Sequence, residues 1–109
     1  MCRYKVRLTA YFRRDFDEIM YYIEHACHNP HGAKVVSTRT QAAIADLADN
    51  PHAHPVYYES PFYEDGIHAF IAGKYRIFYR INEALHLVRV LRIVHAARHM
   101  TTLAGPGSR

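Results

Sequence analysis

The stretch GKYRIFYRI, residues 73–81, alternates two kinds of side chain. Because successive side chains of a β-strand point to opposite faces, the alternation predicts a strand with two different faces. Apolar and aromatic side chains make one face: Tyr75, Ile77, Tyr79 and Ile81. Two cations flank an aromatic ring on the other, formed by Arg76, Phe78 and Arg80. We expect the first face to pack into a core and the second to remain uncovered.

Other strands precede and follow this one. Residues 3–9 alternate basic and apolar side chains, which predicts a half-buried strand, and residues 67–72 also have a strand pattern. Residues 85–94 form the longest β run, apolar on both faces apart from Arg89 and Arg92. A strand that is apolar on both faces is typical of the centre of a sheet, so we expect this strand to be central.

Two helices are predicted between the first strand and the others. Residues at helical spacing form a first apolar stripe: Phe12, Phe16, Ile19, Ile23 and Ala26. A second stripe follows: Ala33, Val36, Thr40, Ala43, Ile44 and Leu47. Thr9 is a candidate N-cap, and Asn29-Pro30 ends the first helix and begins the second. Asn50-Pro51 ends the second helix, so the pattern predicts a helical hairpin.

The remaining segments complete the predicted architecture. Residues 51–66 are rich in proline and favour a loop with a short edge strand at 56–58. The predicted class is α+β: an N-terminal strand, a helical hairpin, then a mostly antiparallel twisted sheet of four to five strands with the helices on one face. We expect the first strand to pair with the last. One domain is predicted over residues 1–100, followed by a disordered tail over 101–109.

Charge and cysteine usage restrict the setting. The chain of 109 residues carries a formal charge of +4 with its nine histidines neutral, which favours an acidic partner. Cys2 and Cys27 form no paired motif, which is typical of a reducing compartment. The sequence contains neither a signal-peptide pattern nor a membrane-helix pattern. We therefore expect a cytoplasmic protein that does not contact membranes.

The histidines raise the question of a metal site. His25, His28 and His31 recur every three residues, and His52 and His54 form an H-x-H pair. Zinc sites usually add cysteines or a second close pair, which this chain lacks. We therefore favour surface histidines and expect neither a metal nor a cofactor.

The face of Arg76, Phe78 and Arg80 allows three interpretations, because two helices can cover only one side of the predicted sheet. Cations interleaved with an aromatic suit phosphate contacts with base stacking. They also suit an acidic amphipathic segment that uses the aromatic as an anchor. In the third interpretation the face is solvated and the arginine stems lie over the ring. The pattern alone leaves all three open.

Residues 66–81, GIHAFIAGKYRIFYRI, followed by LVRVLRIVHAAR at 87–98, resemble the ParE/RelE superfamily of toxins. These are the toxins of type II toxin–antitoxin modules of bacteria and archaea, and the resemblance covers nearly the whole chain. It implies a helical hairpin against one sheet, growth arrest, plasmid stabilisation and a cognate antitoxin that wraps the toxin with an acidic amphipathic segment. A homodimer and a toxin–antitoxin hetero-oligomer both remain open.

The superfamily divides into two activities. RelE-like members cut messenger RNA on the ribosome, whereas ParE-like members inhibit DNA gyrase by binding. The closing segment RIVHAAR, residues 92–98, resembles the ParE-like branch, and Ala97 and Leu103 stand where RelE-like chains have residues that help cleavage. His68 stands where many ParE-like chains have arginine, and His99 stands where they often have aspartate. These departures are consistent with a third interpretation, a non-toxic interaction module.

The candidate site residues follow from these interpretations. Basic and aromatic residues are expected to bind a target or the antitoxin: Lys74, Arg76, Phe78, Arg80, Arg92 and Arg98. If the chain were a ribonuclease, Arg76 would stabilise charge at phosphorus, His95 would act as acid or base, and Arg98 would hold phosphate. We favour a structural role for His95 at the end of its strand, and binding rather than catalysis for the protein.

Overall fold

A computed structural model of the chain describes residues 3–97. The strands are β1 (Lys5–Leu8), β2 (His68–Ala72), β3 (Tyr75–Asn82) and β4 (Leu87–His95). Two α-helices, α1 (Ala10–Tyr21) and α2 (Pro30–Leu47), lie between β1 and β2 in the chain. A short 3-10 turn, Pro51–Ala53, follows α2. Arg98, His99, Leu103 and the predicted tail 101–109 lie outside the described residues.

The four strands form one sheet in the order β1-β4-β3-β2. The strands β2, β3 and β4 are antiparallel neighbours joined by short turns, whereas β1 runs parallel to β4. A parallel neighbour needs a long crossover, and the helical hairpin supplies it. The predicted α+β class, the interior position of β4 and the pairing of the first strand with the last are confirmed.

The helix boundaries follow the predicted caps. Thr9 Oγ1 accepts a hydrogen bond from the Phe12 backbone N–H at 3.1 Å, and Asn29 Oδ1 accepts one from Gly32 N at 2.9 Å. A Cβ added at position 32 would lie 2.3 Å from the Asn29 side-chain nitrogen, so a larger residue there would displace the capping side chain. One feature was not predicted: α1 continues as a π-helical turn, Tyr22–Ala26.

The main core lies between the hairpin and one face of the sheet. Its fully buried members come from both layers: Phe12, Leu47, Ile77, Tyr79, Val88, Val90 and Ile93. Tyr75 and Ile81 pack against them, so the predicted core face of β3 is confirmed. The buried Tyr79 hydroxyl donates a hydrogen bond to the Pro51 carbonyl at 2.6 Å, which ties the sheet to the end of the hairpin.

The second face of the sheet is partly covered, and the expectation of a bare face is wrong around Phe78. Its side chain is only 1% exposed, because the loop between α2 and β2 folds back over it. The Tyr57 and Phe62 rings lie 5.2 Å and 5.4 Å from the Phe78 ring. The predicted edge strand at 56–58 is reduced to a single bridge between Val56 and His68.

Candidate interaction surface

The tight turn between β2 and β3 places the first group of predicted site residues. Gly73 has a φ of 65°, a left-handed conformation that glycine adopts without strain, and it reverses the chain. Lys74 follows at the tip and is exposed. Tyr75 then pairs with His95 and Arg76 with Val94, so the start of β3 and the end of β4 share one edge of the sheet.

Arg76 lies on the loop-covered face and is half-buried. Its guanidinium carbon lies 5.2 Å from the centre of the Tyr57 ring, and its Nη1 lies 3.4 Å from the Ala96 carbonyl oxygen. Burial raises the pKa of Tyr57, and the Arg76 charge opposes that rise. Arg76 therefore joins the loop to the end of β4.

His95 lies on the opposite face, the one that faces the helices. Its ring contacts the edge of the Tyr75 ring at 5.5 Å, and its Nδ1 accepts a hydrogen bond from the Ala97 backbone N–H at 3.2 Å. The structural role predicted for His95 at the end of its strand agrees with this bond. Arg76 and His95 therefore lie on opposite faces of the sheet.

A groove runs between the helical hairpin and this end of the sheet. Aromatic and small side chains form much of its wall, with Tyr22 of the π-helical turn facing Tyr75 of β3. Arg39 of α2 and Lys74 also line the groove, so its walls combine apolar and cationic groups. Sequence reasoning did not identify Tyr22 and Arg39 as groove residues. The signal available for Tyr22 was its place outside the predicted apolar stripe, and in the structure its side chain is 61% exposed.

The other predicted residues lie apart from this groove. Arg92 is paired with Asp15 of α1, at 2.6 Å between Nε and Oδ2, and hydrogen bonding with this carboxylate raises the pKa of Arg92. Phe78 is buried beneath the loop, so it presents no surface to a partner. Arg80 is exposed and stands opposite Arg89 at the other end of the sheet.

The described residues contain neither a cluster of metal-ligating side chains nor a membrane-spanning helix. Within residues 3–97, no three side chains of histidine, cysteine, aspartate or glutamate are grouped to hold a metal ion. In the same part of the chain, no helix has both the length and the apolar character needed to cross a membrane.

Solved structures share this arrangement. The RelBE2 toxin–antitoxin complex from Mycobacterium tuberculosis contains a chain 26% identical to this one, with a TM-score of 0.62. The alignment covers 90% of this chain and 97% of that one. A chain of the chromosomal ParDE toxin–antitoxin system of P. aeruginosa is 15% identical to this one, with a TM-score of 0.67. The alignment covers 85% of this chain and 96% of that one, and at this identity it supports the fold alone. A search of curated proteins found no match.

The family comparison agrees with these neighbours and with the resemblance noted in the sequence. The family described as the ParE toxin of the type II toxin–antitoxin system, parDE, matches residues 6–100. That match spans the hairpin, the sheet from Val6 onward and the loop that covers its second face. The chain therefore belongs to the ParE toxin family of type II toxin–antitoxin systems.

Proposed function

We propose that this toxin inhibits DNA gyrase in the cytoplasm by binding to it, without cleaving nucleic acid, and is neutralised by a cognate antitoxin. The observation that carries the proposal is the placement of Arg76 and His95 on opposite faces of the sheet. Cutting RNA without a metal requires an acid or base and a charge-stabilising cation within reach of the same phosphate. Side chains separated by the sheet do not meet that requirement.

The contacts of the two residues support the same conclusion. The Arg76 guanidinium is held between the Tyr57 ring and the Ala96 carbonyl. The Nδ1 of His95 accepts a backbone hydrogen bond, so one ring nitrogen is engaged in closing the strand. Both side chains stabilise the end of the sheet, which favours a protein that acts through its surface.

The groove beside the hairpin supports an antitoxin as the second partner. Its aromatic wall can bury apolar side chains, and Arg39 and Lys74 can pair with carboxylates. That combination suits an acidic amphipathic segment. The solved neighbour that is 26% identical is described as a toxin–antitoxin complex, which supports an antitoxin for this chain as well.

Two assays test the proposed target. The purified chain should abolish supercoiling of a relaxed plasmid by gyrase while leaving messenger RNA intact on translating ribosomes. Cleaved messages with normal supercoiling would overturn the proposal and favour the ribonuclease reading. If expression of the chain leaves growth unchanged and neither assay responds, the chain is a non-toxic interaction module.

A variant pair tests the groove. Arg39→Glu/Lys74→Glu reverses both groove cations and should weaken neutralisation by the antitoxin, here the product of the adjoining gene, while gyrase inhibition persists. Arg13→Glu/Arg14→Glu, which changes two exposed arginines of α1 by the same charge, is the matched control. Equal neutralisation of both variants would place the antitoxin elsewhere.

A further inference from the structure

Three arginines form a row across three neighbouring strands on the face opposite the helices. Arg7 of β1 is paired in register with Arg89 of β4, and Arg89 is paired with Arg80 of β3. All three side chains are exposed. The loop that covers Phe78 leaves this part of the face open, and we call these three residues the arginine row.

In the described part of the chain, no carboxylate pairs with the cations around the arginine row. Lys5 lies two residues before Arg7 on the same face of β1 and lines a shallow depression with Arg7 and Arg89. Within residues 3–97, none of these side chains forms an ion pair with a carboxylate. Glu83, in the turn between β3 and β4, is instead bonded to Tyr4 and His52.

Such a row costs stability in the isolated protein. Adjacent strands are about 4.8 Å apart, so the three side chains start within about 10 Å of one another. Like charges directly opposite each other on a sheet destabilise it. The arrangement is explained by an anionic partner that neutralises the row, and we propose that the arginine row binds the phosphate backbone of duplex DNA.

Charge density favours a duplex over an acidic protein segment. Duplex DNA carries one negative charge per roughly 1.7 Å of its axis, so about six lie along the length of the row. One face of a peptide helix offers about one side chain per turn of 5.4 Å. A row of three arginines with Lys5 beside it therefore matches the duplex more closely.

The side chains beside Arg7 and Arg89 favour a duplex over a single strand, because none of those that line the depression there is aromatic. Surfaces for single strands stack bases on aromatic side chains, whereas a duplex keeps its bases stacked internally. The arginine row contains no aromatic residue, and Phe78 on the same face is buried. The choice of DNA over duplex RNA rests on the proposed function, because gyrase acts on DNA.

Fluorescence anisotropy of a labelled 20-base-pair DNA duplex with the full chain tests the proposal directly. The variant Arg7→Gln/Arg80→Gln/Arg89→Gln removes the arginine row. The matched control, Arg13→Gln/Arg14→Gln/Lys34→Gln, removes three exposed helical cations and so lowers the net charge equally. We expect the row variant to bind at least tenfold more weakly at 50 mM salt, and the control to change by less than threefold.

Salt dependence supplies a second readout. Each neutralised phosphate contributes about 0.9 to the slope of log affinity against log salt, so losing the row should reduce the slope by about 2.7. Between 50 and 200 mM salt, the contacts of the arginine row should then reduce the wild-type affinity by about 40-fold. The row variant should melt at or above the wild-type temperature, which separates lost binding from lost folding.

The other outcomes overturn the proposal. Equal loss of affinity in both triple variants would mean diffuse attraction by net charge. Row-dependent binding that is tighter to duplex RNA, single-stranded DNA or poly-glutamate would assign the row to that partner instead. Gyrase inhibition is measured separately. If the arginine row binds duplex DNA but the protein does not inhibit gyrase, this inference stands and the proposed function fails. If the protein inhibits gyrase without row-dependent DNA binding, the proposed function stands and this inference fails.

Discussion

The Asp15 carboxylate of α1 binds the Arg92 side chain of β4, beyond the point at which strand β1 ends and no longer pairs with β4. The Asp15 carboxylate accepts two bonds from Arg92, with Oδ2 2.6 Å from Nε and Oδ1 2.9 Å from Nη2. Its Oδ2 also lies 3.3 Å from the backbone nitrogen of Ile93. Because β1 ends at Leu8, opposite Val90, the backbone of β4 beyond this point needs another partner. The helix supplies it.

Removing this carboxylate should destabilise the fold. Exposed ion pairs contribute about 0–1 kcal/mol, whereas breaking a buried pair costs about 3–5 kcal/mol. The Asp15 side chain is 11% exposed and the Arg92 side chain 27%, so the pair lies between these cases. We expect Asp15→Ala to lower the free energy of unfolding by about 2 kcal/mol in urea titrations.

Asp17→Ala is the matched control, because Asp17 is an exposed carboxylate on the same helix. It should change stability by less than about 0.5 kcal/mol. The double variant Asp15→Ala/Arg92→Ala should recover part of the loss, since it leaves no unpaired charge behind. Equal losses for Asp15→Ala and Asp17→Ala would mean that the pair does not support the end of β4.

Phe78 should behave as a core residue rather than as an anchor for a partner. Truncating a buried phenylalanine costs about 3–5 kcal/mol, so Phe78→Ala should lower the unfolding free energy by that amount. Tyr58→Ala, at a loop tyrosine that is 75% exposed, is the control and should cost little. A loss below about 1 kcal/mol for Phe78→Ala would mean that the loop does not cover this face.

Much of the fold could be predicted because its determinants are local. Alternation placed the core face of β3 correctly, and Asn29-Pro30 marked the turn of the hairpin. The loop cover was missed because its anchors, Tyr57 and Phe62, are scattered among prolines with no period that points to a face. Contacts of this kind depend on tertiary packing rather than on local pattern.

The separation of Arg76 and His95 depends on one inserted residue. Phe78 pairs with Arg92 but Tyr79 pairs with Val90, so Leu91 is an extra residue in β4. A strand without this bulge would put His95 on the face of Arg76, because side chains alternate strictly. The sequence contains no signal for a bulge at Leu91, so the placement of Arg76 and His95 on opposite faces could be recognised only from the register.

The hydroxyl of Tyr79 gives a prediction with two readouts. It donates to the Pro51 carbonyl, and burial raises the pKa of Tyr79 to about 12 from its ordinary value of 10.0. Tyr79→Phe removes this buried hydrogen bond and should cost about 1–3 kcal/mol at neutral pH. Tyr75→Phe, at a half-buried tyrosine on the same face of β3, should cost less.

The same pKa sets the response to alkali. A raised pKa in the folded state means that the unfolded chain releases the proton first as the pH rises. The contribution of Tyr79 is therefore complete below about pH 10 and is lost as the pH approaches 12. Between these values the wild type should lose stability more steeply than Tyr79→Phe in urea titrations. Parallel curves would contradict the buried hydroxyl.

His54 gives the opposite response, at mildly acidic pH. Its ring stacks on Phe70 at 4.2 Å, and its carbonyl accepts a hydrogen bond from His68 Nδ1 at 2.8 Å. Burial lowers the pKa of His54 below its ordinary value of 6.5, and the nearby His68 lowers it further. The unfolded chain therefore binds the proton more readily, so this histidine contributes stability above about pH 6.5 that is lost as the pH falls.

The variant His54→Phe keeps the stacked ring and removes the titration. Its unfolding free energy should fall less than that of the wild type between pH 7.5 and 5.5, because the proton that favours the unfolded chain no longer has a site at this position. His31→Phe, at an exposed histidine in the first turn of α2, is the control and should keep the wild-type slope. If His54→Phe loses as much stability as the wild type over this range, the acid sensitivity originates elsewhere, and the packing of His54 on Phe70 does not disfavour its protonation.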